Sequence, residues 1–267
     1  MTLRFVLVPQ WQGSPSPRAM RLAEGVAALR SDLPASATSE VAVPLEAGDD
    51  QGTGISRFTS VQLVRERTAV VLQDLDGPFV VVGGDCGVSA AGIAVAANRH
   101  PATAVVWFDA HPDLNSPASS PSGAFAGMVL RAAIDDGDIA ADRVVLAGQR
   151  VWDPAEEEFA RDVGIRSFPV DELADPAALV EAVAETGAEA VYVHVDLDVL
   201  DPAALDGLLD PAPFGLTPSA LVGAIKALRA RFPLAGATLA SYAPNTADPE
   251  QAADDAATIL RVIAALD

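Results

Sequence analysis

Three short stretches gather the side chains able to do chemistry. They are Gly83-Gly84-Asp85-Cys86-Gly87, Asp109-Ala110-His111-Pro112-Asp113-Leu114-Asn115 and Asp196-Leu197-Asp198-Val199-Leu200-Asp201-Pro202. Each opens directly from an apolar run. An acidic residue in such a place also serves to cap the next helix or to pair with a lysine, so any one stretch alone says little. The spacing inside them says more. Asp109, His111 and Asp113 alternate, as do Asp196 and Asp198, and in extended backbone that spacing puts alternate side chains on one face. Carboxylates gathered at the edge of an apolar core repel one another and raise their own pKa values. A divalent cation resolves the conflict. Four carboxylates, one imidazole and the Cys86 thiol are enough for two ions. A mixed oxygen and nitrogen shell suits Mn²⁺ best, with Fe, Co and Zn also compatible. Paired ions roughly 3.5–4 Å apart ionise a water for hydrolysis.

Something must hold these stretches together. Short β-branched runs at 3–9, 40–44, 79–82, 104–108, 143–147, 164–168, 190–195 and 237–241 alternate with segments of helical period at 18–30, 60–75, 88–97, 125–135, 155–163, 176–185, 218–231 and 249–266. Asp175-Pro176, Thr217-Pro218 and Asp248-Pro249 each set an N-cap residue before a proline at the first helical position. Val105-Val106-Trp107-Phe108 is apolar without alternation, the pattern of a strand covered on both faces. The alternation predicts one α/β domain over 1–267, with helices on both sides of a parallel sheet. In such folds the site lies beyond the carboxyl ends of the strands, where the three stretches stand. The Pro/Ser/Gly stretch 116–123 reads as a loop at that site.

Composition narrows the partners. The chain has 267 residues, with 37 Asp and Glu against 17 Lys and Arg, a formal net charge of −20. A polyanion repels phosphate, so nucleic acid and anionic membrane surfaces are not expected partners. Half the residues are hydrophobic, too many for a disordered chain. The single cysteine excludes an internal disulfide framework. No window approaches 18 uninterrupted apolar residues, so no membrane span is expected. The first residues read as a strand and turn, not a signal peptide, and the expected compartment is the cytoplasm.

With these residues in place, the sequence resembles the ureohydrolase superfamily of arginases, agmatinases and formimidoylglutamases. The family's three clusters, GGDH, DAHxD and SxDxDxxDP, stand here as GGDC, DAHPD and HVDLDVLDP, and the likeness runs from about Val81 to Pro244. The resemblance implies a three-layer α/β/α sandwich around a mostly parallel eight-stranded sheet. It implies two Mn²⁺ ions with a hydroxide between them that attacks a guanidinium carbon. It implies Asp109, His111, Asp113, Asp196 and Asp198 as metal ligands, with Cys86 at the place of a sixth, normally a histidine. Mn²⁺ is a hard ion, and a thiol must lose its proton to bind. The ion on the Cys86 side is therefore expected to be held weakly.

The same resemblance narrows the substrate to a small guanidino amino acid. Asn115 and Ser122 stand where arginases hold the substrate α-carboxylate, although turn chemistry alone also favours Asn and Ser there. Asp153 matches the residue that binds the α-amino group, with Glu156 nearby. Four positions depart from the family. Cys86 replaces a ligand histidine, Ala126 a histidine proton shuttle, Ser241 a glutamate that contacts the guanidinium, and His194 a common Ser or Thr. An N-hydroxyguanidine is far less basic than arginine and needs less help from an acidic contact and a shuttle. These departures resemble the branch of the family that converts Nω-hydroxy-L-arginine to L-ornithine and hydroxyurea in antibiotic biosynthesis. Asp113 and His194 are the candidate catalytic residues. By strand alternation His194 shares a face with Asp196 and Asp198, either as a proton donor or as a hydrogen-bonded support behind the ligands. Arginase, another guanidino-acid hydrolase and a non-catalytic metal-binding homologue stay open as alternatives. The sequence closes on its last helix, so trimerisation through an extended tail is not expected, while homo-oligomerisation through other faces stays open.

Overall fold

A computed structural model describes residues 3–267. Eight strands, β1 (Arg4–Val8), β2 (Thr38–Glu40), β3 (Phe79–Gly83), β4 (Thr103–Phe108), β5 (Val144–Ala147), β6 (Arg166–Phe168), β7 (Ala190–Asp196) and β8 (Leu234–Ala240), form one sheet in the order β2-β1-β3-β8-β7-β4-β5-β6. Every neighbouring pair is parallel. The eight α-helices among the described residues are α1 (Arg21–Arg30), α2 (Phe58–Gln73), α3 (Ser89–Arg99), α4 (Val129–Asp135), α5 (Pro154–Val163), α6 (Ala177–Glu185), α7 (Pro218–Arg231) and α8 (Pro249–Leu266).

The sheet is covered twice, which is why its central strands carry no polar alternation. Every residue of β3, β4, β7 and β8 is buried. On one face Val80, Val82, Val106, Phe108, Val193 and Val195 meet Val26 and Leu29 of α1, Val183 of α6, Leu221 and Ile225 of α7 and Ile259 and Val262 of α8. On the other, Phe79, Val81, Val105, Trp107 and Tyr192 meet Val61 and Val64 of α2, Ile93 of α3, Leu130 of α4 and Ala160 of α5. The result is the expected α/β/α sandwich, with the sheet wholly parallel.

Several boundaries differ from expectation for local reasons. The second strand is Thr38–Glu40, not 40–44: it is an edge strand with only β1 to pair, and β1 ends before Pro9. The segment 125–135 begins as a 3₁₀ turn at Ala126–Met128 before α4. Asp175 is not the N-cap of α6 as expected: Pro176 holds that place and the helix starts at Ala177, although the Asp175 carboxylate still accepts the Ala177 N–H at 3.0 Å. Thr217 and Asp248 cap α7 and α8 through Ala220 N and Gln251 N. The last strand closes at Ala240 because Ser241 turns away with φ 72°. No helix among the described residues is long and apolar enough to cross a membrane.

Candidate metal centre

The loops after β3, β4, β7 and β8 meet over four adjacent strands. The first is set by a close approach. A Cβ on Gly84 would lie 1.6 Å from the Gln10 carbonyl oxygen, so only glycine lets the loop after β3 lie against the loop after β1. Asp85 then knits the two, accepting from Gln10 Nε2 at 2.9 Å, Gly13 N at 3.0 Å and Gly87 N at 2.9 Å. Burial raises its carboxyl to about 6 against those bonds. Cys86 is thereby turned into the site.

The period-two argument needs correction. β4 stops at Phe108, Asp113 has φ 52°, and Leu197–Val199 is a 3₁₀ turn, so neither cluster is extended throughout. The carboxylates converge because backbone N–H groups fix them: Asp109 and Asp196 each anchor their own turn, and Asp198 ties its loop to the one after β4. Asp109 Oδ1 accepts from His111 N at 2.6 Å, Asp196 Oδ1 from Asp198 N at 2.8 Å and Asp198 Oδ1 from Ala110 N at 2.9 Å. The second oxygens of Asp196 and Asp198 meet the cluster, while Asp109 Oδ2 accepts from Trp107 Nε1 at 3.2 Å. The Cys86 thiol donates to Asp196 Oδ2 at 2.7 Å, and the Ser241 hydroxyl donates to the same oxygen. His111 Nδ1 lies 2.9 Å from Asp198 Oδ2 and 3.5 Å from Asp109 Oδ1.

The electrostatics are those of an anionic cluster short of a cation. Burial first, and neighbouring carboxylates second, push Asp113 and Asp196 well above the usual range and Asp198 to about 6. Burial and Asp196 together push the Cys86 thiol up. Burial works against the charge on Asp109, yet the His111 and His194 imidazoles hold its carboxyl below the usual range. Burial also opposes charge on His111, but Asp109 and Asp198 raise its imidazole to about 12. Two side-chain atoms beside the cluster, Asp113 Oδ2 and His194 Nε2, are buried without a hydrogen-bond partner. Cys86, Asp109, His194 and Asp196 present ligand atoms within 4.8 Å of one another, and so do Asp109, His111 and Asp198. These donors and the two unpartnered atoms fit metal ions, with Asp109 common to both groups. Asp113 falls outside both.

The predicted residues fall into two tiers around one cavity of about 260 Å³. Cys86, Asp109, His111, Asp113, Asp196, Asp198 and Ser241 border it at the cluster, and Asn115, Ser122, Asp153 and Glu156 line it further along. Asn115 Nδ2 donates to Asp153 Oδ2 at 2.9 Å, and its Oδ1 accepts from Ser119 Oγ at 2.9 Å. Ser122 is exposed, its Oγ accepting from Ala124 N at 3.2 Å. The Glu156 carboxylate is spent on backbone, accepting from Leu114 N at 2.9 Å and Asp153 N at 3.0 Å. His194 is fully buried and absent from the cavity wall, so it does not reach a leaving group there. Its Nδ1 meets Ser89 Oγ at 2.8 Å, and its ring stacks on Trp107.

Arg150 is an addition that the motifs alone do not announce. Its guanidinium donates to the carbonyl oxygens of Asp198 at 2.6 Å, Ala212 at 2.7 Å, Pro213 at 3.0 Å and Gly148 at 3.1 Å. It pins the loop after β7 from behind. A basic residue amid so acidic a chain was the available signal.

This fold and site define an arginase-type hydrolase. The chain belongs to the Arginase family, which it matches over residues 14–265. It is 35% identical over 196 residues to the N(omega)-hydroxy-L-arginine amidinohydrolase of Streptomyces lavendulae, an alignment spanning 71% of this chain and 69% of that one. It is 31% identical to the arginase of Bacillus caldovelox over 61% of this chain and 62% of that one. Among solved structures, Entamoeba histolytica arginase in complex with L-ornithine superposes with TM-score 0.86 at 21% identity, over 99% of this chain and 97% of that one. Proclavaminate amidino hydrolase of Streptomyces clavuligerus superposes at 0.76 with 23% identity, over 99% and 91%. The protein is therefore an amidinohydrolase of the arginase family, a class acting on C–N bonds of small guanidino compounds.

Proposed function

We propose that this chain hydrolyses Nω-hydroxy-L-arginine to L-ornithine and hydroxyurea at a dinuclear Mn²⁺ centre. Asp109, Asp196, Cys86 and Asp113, together with His111 and Asp198, would hold the ions. When bound, the ions supply an ionised water to the guanidino carbon. The chain's own residues do the rest. Asn115 and Ser122 receive the α-carboxylate and Asp153 the α-amino group. Asp113, ionised in the loaded site, would relay a proton to the departing amine through its unbonded Oδ2 at the cavity wall.

The observation that carries the hydroxylated substrate is the chemistry of the wall facing the cluster. Ser241 and Ala126 line the cavity, and neither provides a carboxylate or an imidazole. Neither adds an anionic contact for a strongly basic guanidinium to the carboxylates of the cluster itself, whereas an N-hydroxyguanidine brings a weaker base and an oxygen that Ser241 Oγ can meet. The Streptomyces lavendulae relative supports the same reading. Arginase is the second reading, favoured by the Bacillus caldovelox relative.

The test is a parallel assay of the Mn²⁺-supplied protein on Nω-hydroxy-L-arginine, L-arginine and agmatine. The expected result is the highest kcat/KM on the hydroxylated substrate, with hydroxyurea as product. An equal or higher value on L-arginine would establish the second reading instead.

A further inference from the structure

His194 has an arrangement that support alone does not explain. Its side chain is fully buried on β7. Trp107, its register partner on β4, lies flat against it, with ring centroids 3.5 Å apart and planes 8° apart. Ser89 Oγ on α3 fixes Nδ1 at 2.8 Å. The ring is thus held on both faces of its freedom, by stacking and by a hydrogen bond. The other nitrogen, Nε2, has no hydrogen-bond partner. The nearest carboxylate oxygen, Asp109 Oδ2, is 3.7 Å away, too far for a hydrogen bond. That oxygen already accepts from Trp107 Nε1 at 3.2 Å. A histidine that only braced Asp109 would close this gap, because buried polar atoms are paired in folded proteins. Here Nε2 is left free and lies with Cys86 Sγ, Asp109 and Asp196 inside one 4.8 Å group of ligand atoms.

We infer that His194 Nε2 is a metal ligand on the Cys86 side of the centre, supplying from β7 the nitrogen that position 86 lacks. Resting on the dinuclear-metal reading above, this adds an imidazole to the thiol and carboxylates on that side, apart from the His111 and Asp198 pair beside it. Second-sphere fixing of a ligating imidazole through its other nitrogen is the usual arrangement, and Ser89 is placed to provide it. The Trp107 stack sets the ring plane.

Imidazole nitrogen bound to Mn²⁺ is visible by pulsed EPR. The experiment uses the full chain, its histidines labelled with ¹⁵N, and Mn²⁺ alone as probe. The parent should show two coupled nitrogens, and His194→Ser one. His194→Ser should also weaken retention of one Mn²⁺ at least tenfold on dialysis, and adding Cys86→His should restore it. Should His194→Ser not fold, His111→Asn decides. The chain has three histidines, and the third, His100, is exposed just past α3, at the opposite end of the strands from the cluster. Any nitrogen coupled in His111→Asn therefore belongs to His194. A parent spectrum unchanged by His194→Ser, or Mn²⁺ bound in His111→Asn without nitrogen coupling, overturns the inference while leaving the metal centre standing. A parent that binds no Mn²⁺ overturns the metal reading itself.

Discussion

The Glu156 carboxylate accepts the backbone N–H of Leu114 at 2.9 Å and so ties the start of α5 to the loop that carries Asp109, His111 and Asp113. Its second oxygen takes Asp153 N at 3.0 Å. Two loops, one bordering the cluster and one lining the far cavity, are held in register by a single side chain that is 4% exposed.

Glu156→Gln tests that tie. The amide keeps one acceptor oxygen and turns an NH₂ towards a backbone N–H. One buried donor is left unpaired, at a cost of about 1–3 kcal/mol. Urea unfolding should show that loss, with KM raised because Asp153 is no longer held. Unchanged stability would show that the tie is replaceable.

Asp196 stands at the junction of the cluster, where Cys86, Ser241 and Asp198 N all bond to it. Asp196→Asn removes a charge from the proposed centre. Turnover should fall below detection and retained metal should drop, while far-ultraviolet circular dichroism keeps its helical signal. Full activity in a metal-supplied variant would remove Asp196 from the ligand set.

Ser122 lines the cavity from an exposed position. Losing a hydrogen bond to a charged group costs about 1.5–3 kcal/mol, on the order of tenfold or more in affinity. Ser122→Ala should raise KM for Nω-hydroxy-L-arginine by that factor and leave KM for its decarboxylated analogue near the parent value. Equal effects on both would contradict a carboxylate contact.

Metal uptake should release protons. In the metal-free protein burial and neighbouring carboxylates raise the pKa values of Asp113, Asp196 and Cys86 and bring Asp198 to about 6, while Asp109 and Asp198 bring His111 to about 12 against its burial. Each ligand must give up its proton to bind. Since the metal-free state carries the extra protons, affinity rises with pH. Titration calorimetry of Mn²⁺ in buffers of differing ionisation enthalpy should show net proton release at pH 7. No release would mean that the cluster is already ionised.

The elements were legible because both faces of the sheet are covered: Val105-Val106-Trp107-Phe108 has no alternation and reads as an inner strand at once. The edge was harder. β2 pairs with a single neighbour, and its three residues carry little pattern of their own. At the site the motifs named the residues, while the geometry lay outside what a period can carry. Asp113 and Ser241 both adopt positive φ, a conformation that costs about 1–3 kcal/mol and depends on surrounding contacts. The role of Glu156 as a bridge between backbones was hidden for the same reason, since its two partners lie 42 and 3 residues away along the chain. Likewise nothing local in HVDLD shows that Ser89 and Trp107 trap the ring of His194.

The sheet order carries a consequence for how the chain is completed. β8, the last strand, is seated between β3 and β7. Cys86 follows β3 and Asp196 ends β7, and their side chains, 110 residues apart in sequence, touch across it. Until Leu234–Ala240 inserts, the halves that carry these two residues have no common edge. Pairings this distant close slowly, because the intervening chain must be ordered first. The group that joins Cys86 to Asp196 is therefore assembled late, with the seating of the final strand, whereas Asp109, His111 and Asp198 follow β4 and β7, which pair directly without it.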